Sequence, residues 1–141
     1  CPYVKKHYDS KNMQKLQADI TAKDVVWLSI NSSAAGKQGN LTGEAANTYI
    51  KDQGAKQTAY LLDPKGEIGK AYDAKTTPHM FVIDKDGTLA YEGAIDDNDS
   101  ANKEDAATAK NYVTAAVDAL VAGKAVETSK TKAYGCGVKY E

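Results

Sequence analysis

The sequence predicts an α/β fold in a single domain that spans residues 1–141. This length is sufficient for one hydrophobic core. The run VVWLSI at 25–30 is nearly unbroken in apolar and β-branched character, which is typical of a parallel strand covered on both faces by helices. Helical periodicity lies on both sides of that run. Residues 124–141 show little periodicity and are predicted to form a C-terminal tail.

The composition argues against nucleic acid and membranes as partners. Charged residues make up 26% of the chain and the formal net charge is -1, so there is no electrostatic preference for nucleic acid. No apolar run approaches the roughly 20 residues that a membrane helix needs. All 18 basic residues are lysine, so arginine is absent. The chain begins with Cys rather than Met, which leaves the compartment open between cytoplasm and periplasm.

Three helices are predicted in the first half of the chain. An apolar pattern at helical spacing runs through residues 2–22, and Asp9–Ser10 divides it into two helices. A third helix begins after Thr42, whose hydroxyl can cap it, and ends at Gly54. The residues that this helix is expected to turn inward are Ala45, Ala46, Tyr49 and Ile50.

The rest of the chain contains the clearest hairpin in the sequence. A short strand at 60–62 ends in a turn and is followed by a short helix near Ile68. Two apolar strands, 80–83 and 88–91, flank DKDG, whose glycine can adopt the positive φ that hairpins favour. A last helix carries an apolar stripe and ends at Gly123, and we expect it to pack on the sheet.

Together these features resemble the thioredoxin superfamily: CPY at a helix start, a βαβ stretch, Thr77–Pro78 before an FVID strand, and a terminal helix. The opening string CPYVKKHY, the string NMQ at 12–14 and the closing string YGCGVKY at 134–140 are similar to the bacterial redoxins. These are thioredoxin-like proteins related to the alkyl hydroperoxide reductase and thiol-specific antioxidant group. The resemblance covers nearly the whole chain and implies a three-layer α/β/α fold with a mixed sheet.

The resemblance also implies strands that are missing from this sequence. Members of the superfamily carry a hairpin-like start and a central strand before the active-site cysteine, which is residue 1 here. We therefore expect a thioredoxin-like domain without its N-terminal strands, in which the neighbours of the central strand are left unpaired. Upstream residues or another chain would supply that strand.

Cys1 is the candidate nucleophile. A thiol reacts as its thiolate, which the unpaired N–H groups and the dipole at a helix N-terminus stabilise. Pro2 suits the first helical position because it has no N–H and its φ is already helical. Lys5 and Lys6 either add positive potential near the thiol or are solvated surface residues. We expect a pKa for Cys1 below the free-thiol value of about 8.5.

Thr77, Pro78 and His79 are the candidate substrate-binding residues. The resemblance places Thr77–Pro78 where this fold keeps a cis proline against the reactive cysteine, with backbone groups facing thiol substrates. His79 follows directly, and two interpretations of it are open. It contacts substrate or the thiolate, or it is an exposed residue at a strand entrance.

Cys136 is the candidate second thiol. Most oxidoreductases of this fold carry Cys-x-x-Cys, but Val4 stands at the second cysteine position, so Cys1 must act with a distant thiol, a partner's thiol or glutathione. We predict that Cys136 resolves Cys1, with flanking glycines that lower the steric cost of unusual backbone angles and let the tail move. The alternative is a buried cysteine that packs as a small hydrophobic residue.

No metal site and no cofactor are predicted. The cysteines and histidines do not stand at the spacing of standard ligand pairs; they are Cys1, His7, His79 and Cys136. The carboxylates at Asp96, Asp97 and Asp99 lack the glycine and ligand spacing of a calcium loop, so a solvated turn is expected there.

Among the functions that the resemblance allows, a thiol-disulfide oxidoreductase is favoured. Peroxiredoxins stabilise the leaving oxygen with an arginine near the proline position, and this chain has no arginine. The alternatives are a thiol peroxidase and a non-catalytic thioredoxin-like binding module. The expected partners are a thiol or disulfide substrate, either a protein or a small molecule, or a hydroperoxide. Thioredoxin or glutathione is the expected reductant.

Overall fold

The computed structural model describes all residues, 1–141, as two compact units. The first unit contains Cys1–Asn12 and Thr76–Cys136, and the second contains Met13–Lys75 and Gly137–Glu141. Parallel and antiparallel strand pairs both occur, in three two-stranded sheets. None of the helices combines the length and the apolar character that crossing a membrane requires.

The second unit contains the predicted βαβ arrangement. Strands β1 (Leu28–Asn31) and β2 (Ala59–Leu62) pair in parallel, and helix α3 (Gly43–Gln53) lies between them in the chain. Helix α2 (Asn12–Thr21) precedes β1, and α4 (Glu67–Ala71) follows β2. Only the first residue of α2, Asn12, lies outside this unit. The buried apolar side chains of the unit are Met13, Leu16, Ile20, Trp27, Ala34 and Ala46.

The predicted helix boundaries are confirmed because they depend on local chemistry. The Thr42 hydroxyl accepts a hydrogen bond from the backbone N–H of Ala45 at 3.2 Å, which caps α3. Gly54 ends that helix with a φ of 63°, in the left-handed region. The expected break near Asp9 is also present, since one helix ends there and α2 begins at Asn12.

Two burial predictions in this unit are wrong. The run at 25–30 was expected to be covered on both faces, but Leu28 is 51% exposed and Val26 is 67% exposed. The exposed side chains alternate along the run, at Val26, Leu28 and Ile30, while Trp27 is buried, so one face of the run is open to solvent. Ala45 is likewise exposed, because α3 fully buries only Ala46.

The first unit is built around the predicted hairpin. Strands β4 (Met80–Ile83) and β5 (Leu89–Gly93) pair antiparallel across a turn in which Gly87 has a φ of 84°. Helix α5 (Tyr112–Val121) packs on both strands, as expected from its apolar stripe. The buried apolar side chains of this unit are Tyr8, Val82, Tyr91, Ala94, Ile95, Ala106, Val113, Ala116 and Val117.

Three short elements complete the first unit around its N-terminal helix. Helix α1 (Pro2–Asp9) contacts the 3-10 helix Lys103–Ala107. Strand β3 (Thr76–Thr77) pairs with β6 (Cys136–Gly137). Cys136 is the last residue of this unit. The segment that ends at Cys136 is therefore paired to the strand that leads into Pro78.

Candidate functional site

Cys1 lies at the start of α1, as predicted. It is the N-cap residue, and its carbonyl oxygen accepts hydrogen bonds from the backbone N–H groups of Val4 at 3.1 Å and Lys5 at 2.9 Å. Pro2 occupies the first turn, which contains no acidic residue. The half-buried Cys1 thiol is therefore next to the positive end of the helix dipole, with no carboxylate in that turn to oppose it.

The structure brings Cys1 to the Thr77–Pro78 segment. The Thr77–Pro78 peptide bond is cis, and the Cys1 thiol donates to the carbonyl oxygen of Thr77 across 3.3 Å. His79 is half-buried, and its ring stacks on Phe81 with 4.5 Å between the ring centroids. Cys1 and Thr77 are thus in direct contact, while the His79 ring is paired with its own strand.

Cys136 lies in a paired strand instead of an unpaired tail. Its thiol is free and half-buried, and β6 pairs with β3. The preceding Gly135 has a φ of 139°, and a Cβ at that position would overlap the carbonyl oxygen of Thr77. Gly135 therefore has the unusual backbone angle expected of a glycine at this position, and the close approach to Thr77 requires it. Nothing lies within 4 Å of a Cβ at Gly137.

A buried polar cluster lies behind α1 in the same unit. The Tyr134 hydroxyl donates to Oδ1 of Asp96 at 2.5 Å and accepts from Nζ of Lys6 at 3.2 Å. It also lies 3.3 Å from Nε2 of His7. Lys6 and Asp96 are each 2% exposed and His7 is 0% exposed. We name Lys6, His7, Asp96 and Tyr134 the Tyr134 cluster.

Backbone carbonyls complete the coordination of the buried ammonium in the Tyr134 cluster. Nζ of Lys6 donates to the carbonyl oxygens of Asn98 and Ser100, each at 2.7 Å. With Tyr134 as the third acceptor, all three of its protons have partners. The two carbonyls hold the loop that contains Asp96, so the carboxylate and the ammonium are buried in the same small region.

His7 is neutral in this environment. Burial lowers its pKa from 6.5 to about 4; the nearby Asp96 carboxylate opposes this effect and Lys6 adds to it. The side-chain amide nitrogen of Asn12 lies 2.9 Å from Nδ1 of His7, which makes Nδ1 an acceptor. The remaining proton is therefore on Nε2, from which it is donated to Tyr134. Burial, with the Asp96 carboxylate, raises the pKa of the Tyr134 hydroxyl.

Three of these residues differ from what the sequence predicted. The sequence leaves Lys6 either near the thiol or solvated, gives His7 no role beyond a discounted metal site, and places Asp96 in a solvated turn. In the structure all three side chains are buried. Their partners are far apart in sequence, so no local pattern identifies them. The available signal was the closing string that contains Tyr134. No three histidine, cysteine, aspartate or glutamate side chains are grouped as metal ligands.

The fold and the position of Cys1 define a thioredoxin-like protein of the redox class. The family model for Redoxin matches residues 1–111, and the chain belongs to that family. Membership implies a thioredoxin-like redox function. It also indicates partners that are thiols or peroxide-related compounds.

Two solved structures are similar over the full length of this chain. A hypothetical protein from Sinorhizobium meliloti 1021 is 28% identical, with a TM-score of 0.82 and 74% of its own chain covered. An uncharacterized conserved protein from Geobacillus kaustophilus is 28% identical, with a TM-score of 0.81 and 72% of its own chain covered. Both matches support the thioredoxin-like fold. No curated protein matches the chain.

Proposed function

We propose that this protein is a thiol-disulfide oxidoreductase in which Cys1 is the nucleophile and Cys136 is the resolving thiol. The observation that carries the proposal is a shared contact with Thr77. The Cys1 thiol donates to the Thr77 carbonyl oxygen, and Gly135, the neighbour of Cys136, packs on the same oxygen. Cys1 and the residue before Cys136 thus both contact the Thr77 carbonyl, and both cysteines are free thiols.

The reaction has two thiol exchanges. In the first, the Cys1 thiolate attacks one sulfur of a substrate disulfide, forms a mixed disulfide and releases the other sulfur as a thiolate. In the second, the Cys136 thiolate attacks Sγ of Cys1, forms the Cys1–Cys136 disulfide and releases the second substrate thiolate. The substrate disulfide gains two electrons, and the two cysteines lose them. Thioredoxin or glutathione then returns the protein to the dithiol form.

The start of α1 supports the first exchange. Attack requires the thiolate, and Cys1 lies at the positive end of the α1 dipole, which favours that anion. In this proposal the Thr77–Pro78 segment, with His79, forms the surface on which the substrate backbone lies. The direct contact of Thr77 with Cys1 is the feature that favours this location.

The pairing of β3 with β6 supports the second exchange. A disulfide requires the two Cα atoms to approach within about 7 Å. Cys136 belongs to the strand that pairs with Thr76–Thr77, and Thr77 touches Cys1, so both cysteines neighbour the same short strand.

Reactivity towards two oxidants tests the proposal. The reduced protein is mixed separately with dithiobis(nitrobenzoate), an aromatic disulfide that releases a coloured thiolate, and with hydrogen peroxide. We expect fast reaction with the disulfide and slow reaction with peroxide, with both reactions much reduced in Cys1→Ser. Faster consumption of peroxide would instead support the thiol peroxidase. Reaction of Cys1 with neither oxidant faster than an unfolded thiol would support the binding module.

A further inference from the structure

The Tyr134 hydroxyl has every hydrogen-bonding position filled. It accepts from Lys6 and from the Nε2 proton of His7, and it donates to Asp96. A phenolic hydroxyl offers one donor and two acceptor positions, so no position is left for water. Removing this oxygen would leave a buried ammonium, imidazole and carboxylate each without one partner.

The Tyr134 ring is fixed against the helix that begins with Cys1. It meets the ring of Tyr3 edge to face, with 6.0 Å between centroids. On the same helix, Nζ of Lys6 lies 4.9 Å from the centre of the Tyr134 ring. The closing segment is thus attached to the first two turns of α1 by ring contacts as well as by hydrogen bonds.

Tyr134 is two residues from Cys136, with Gly135 between them. The Gly135 backbone lies against the Thr77 carbonyl at a φ of 139°. That carbonyl also accepts from the Cys1 thiol. A chain of contacts therefore runs from the Tyr134 cluster through Gly135 to both cysteines.

We propose that Tyr134 is a positioning residue for the resolving step. Its hydrogen bonds to the buried Lys6 and Asp96 hold Cys136 in register with Cys1. This inference rests on the proposed function. Tyr134 touches neither the substrate nor the reacting sulfurs; it fixes the segment from which the Cys136 thiolate attacks. The reaction it serves is the second exchange, in which the Cys1–Cys136 bond forms and the bond from Cys1 to the substrate sulfur breaks.

The proposal predicts that the two exchanges respond differently to Tyr134→Phe. Reduced protein mixed with one equivalent of dithiobis(nitrobenzoate), so that no second reagent molecule is left for Cys136 to attack, should release one coloured thiolate when Cys1 attacks and a second when Cys136 resolves. In Tyr134→Phe the first rate should stay within about twofold of the natural protein. The second should fall on the order of tenfold or more, because small misplacements of reacting groups cost one to two orders of magnitude in rate.

Tyr91→Phe is the matched control. Tyr91 is buried in the same unit, and its hydroxyl donates to the Ala94 carbonyl and pairs with Thr131. The control removes a buried phenolic oxygen of the same kind, whose hydrogen-bond partners are Ala94 and Thr131 and not Lys6, His7 or Asp96, and both of its release rates should match those of the natural protein. If Tyr134→Phe does not fold, Asp96→Asn replaces it, since the amide oxygen still accepts from Tyr134 while the charge is lost. That variant should slow only the second release.

Each result has one interpretation. Selective slowing of the second release supports the positioning role. The positioning role is overturned if folded Tyr134→Phe has an unchanged second release. It is also overturned if Tyr134→Phe and Tyr91→Phe each slow the first and the second release to the same extent. Neither result affects the proposed function. A natural protein that releases only one thiolate per chain contradicts the proposed function itself, because Cys136 then does not resolve Cys1.

Discussion

Gly135 packs so closely on Thr77 that any side chain at position 135 would overlap the Thr77 carbonyl oxygen. The backbone there has a φ of 139°, which residues with a Cβ rarely adopt. The same carbonyl accepts from the Cys1 thiol. The position of the closing segment and the environment of the candidate nucleophile therefore depend on one peptide group.

Gly135→Ala should destabilise the protein and weaken the pairing of β6. Overlap with a backbone atom cannot be relieved by a rotamer change, and overpacking of this kind costs on the order of 1–3 kcal/mol. The measurement is the free energy of unfolding from urea titration. Gly137→Ala is the control, because a Cβ at that position has nothing within 4 Å, and its unfolding free energy should be close to that of the natural protein. Equal stability of the two variants would contradict the contact between Gly135 and Thr77.

The protein should lose stability in mild acid because His7 is buried in its neutral form. The pKa of His7 is about 4 in the folded state and 6.5 in the unfolded chain, so the unfolded state binds more protons between these values. The free energy of unfolding is therefore unaffected by His7 above pH 6.5. It falls as the pH decreases towards 4, and His7 accounts for roughly 3 kcal/mol of this loss. Urea titrations across this pH range measure the slope.

Two variants separate His7 from the other titrating groups. His7→Gln should show a flatter dependence of unfolding free energy on pH, whatever its stability at neutral pH. His79→Gln is measured beside it, because His79 is the other histidine of the chain. An identical slope in His7→Gln and the natural protein would show that His7 does not titrate between folded and unfolded states as described.

The elements that the sequence predicted correctly are those with local causes. Thr42 and Gly54 bound α3 through contacts within one turn, and Gly87 forms a turn between adjacent strands. The Tyr134 cluster could not be predicted in this way. The hydrogen bond from Lys6 to the Ser100 carbonyl joins residues 94 positions apart, and that from Tyr134 to Asp96 joins residues 38 apart. A lysine or an aspartate is usually solvated, and only the assembled unit gives each a buried partner.

The burial of the side chains in and next to β1 shows a second limit of sequence patterns. An apolar, β-branched run indicates that a strand has two apolar faces, but it does not specify what lies against them. Leu28 and Val26 are exposed although their run is the most strand-like in the chain. For the candidate site, the resemblance supplied Cys1 and Thr77–Pro78, whose contact the structure contains. The close approach of Gly135 depends on pairing between distant segments, which the pattern of the tail did not reveal.

Cys1 should react with iodoacetamide faster than Cys136. The helix N-terminus stabilises the Cys1 thiolate, and the first turn carries no opposing carboxylate. Rates are followed across a pH series in Cys136→Ser and Cys1→Ser, each of which retains one thiol. The urea-unfolded proteins are the control, in which both thiols should react alike. Equal rates in the two folded variants would remove Cys1 from the nucleophilic role.

The most direct test of the account is to map disulfides after oxidation by one equivalent of dithiobis(nitrobenzoate). The account predicts an intramolecular Cys1–Cys136 disulfide in the natural protein, identified by mass spectrometry of unreduced peptides. In Cys136→Ser, the nitrobenzoate mixed disulfide should instead accumulate on Cys1. The contrary result is a mixed disulfide that accumulates on Cys1 at the same rate in both proteins, which would show that Cys136 is not the resolving thiol.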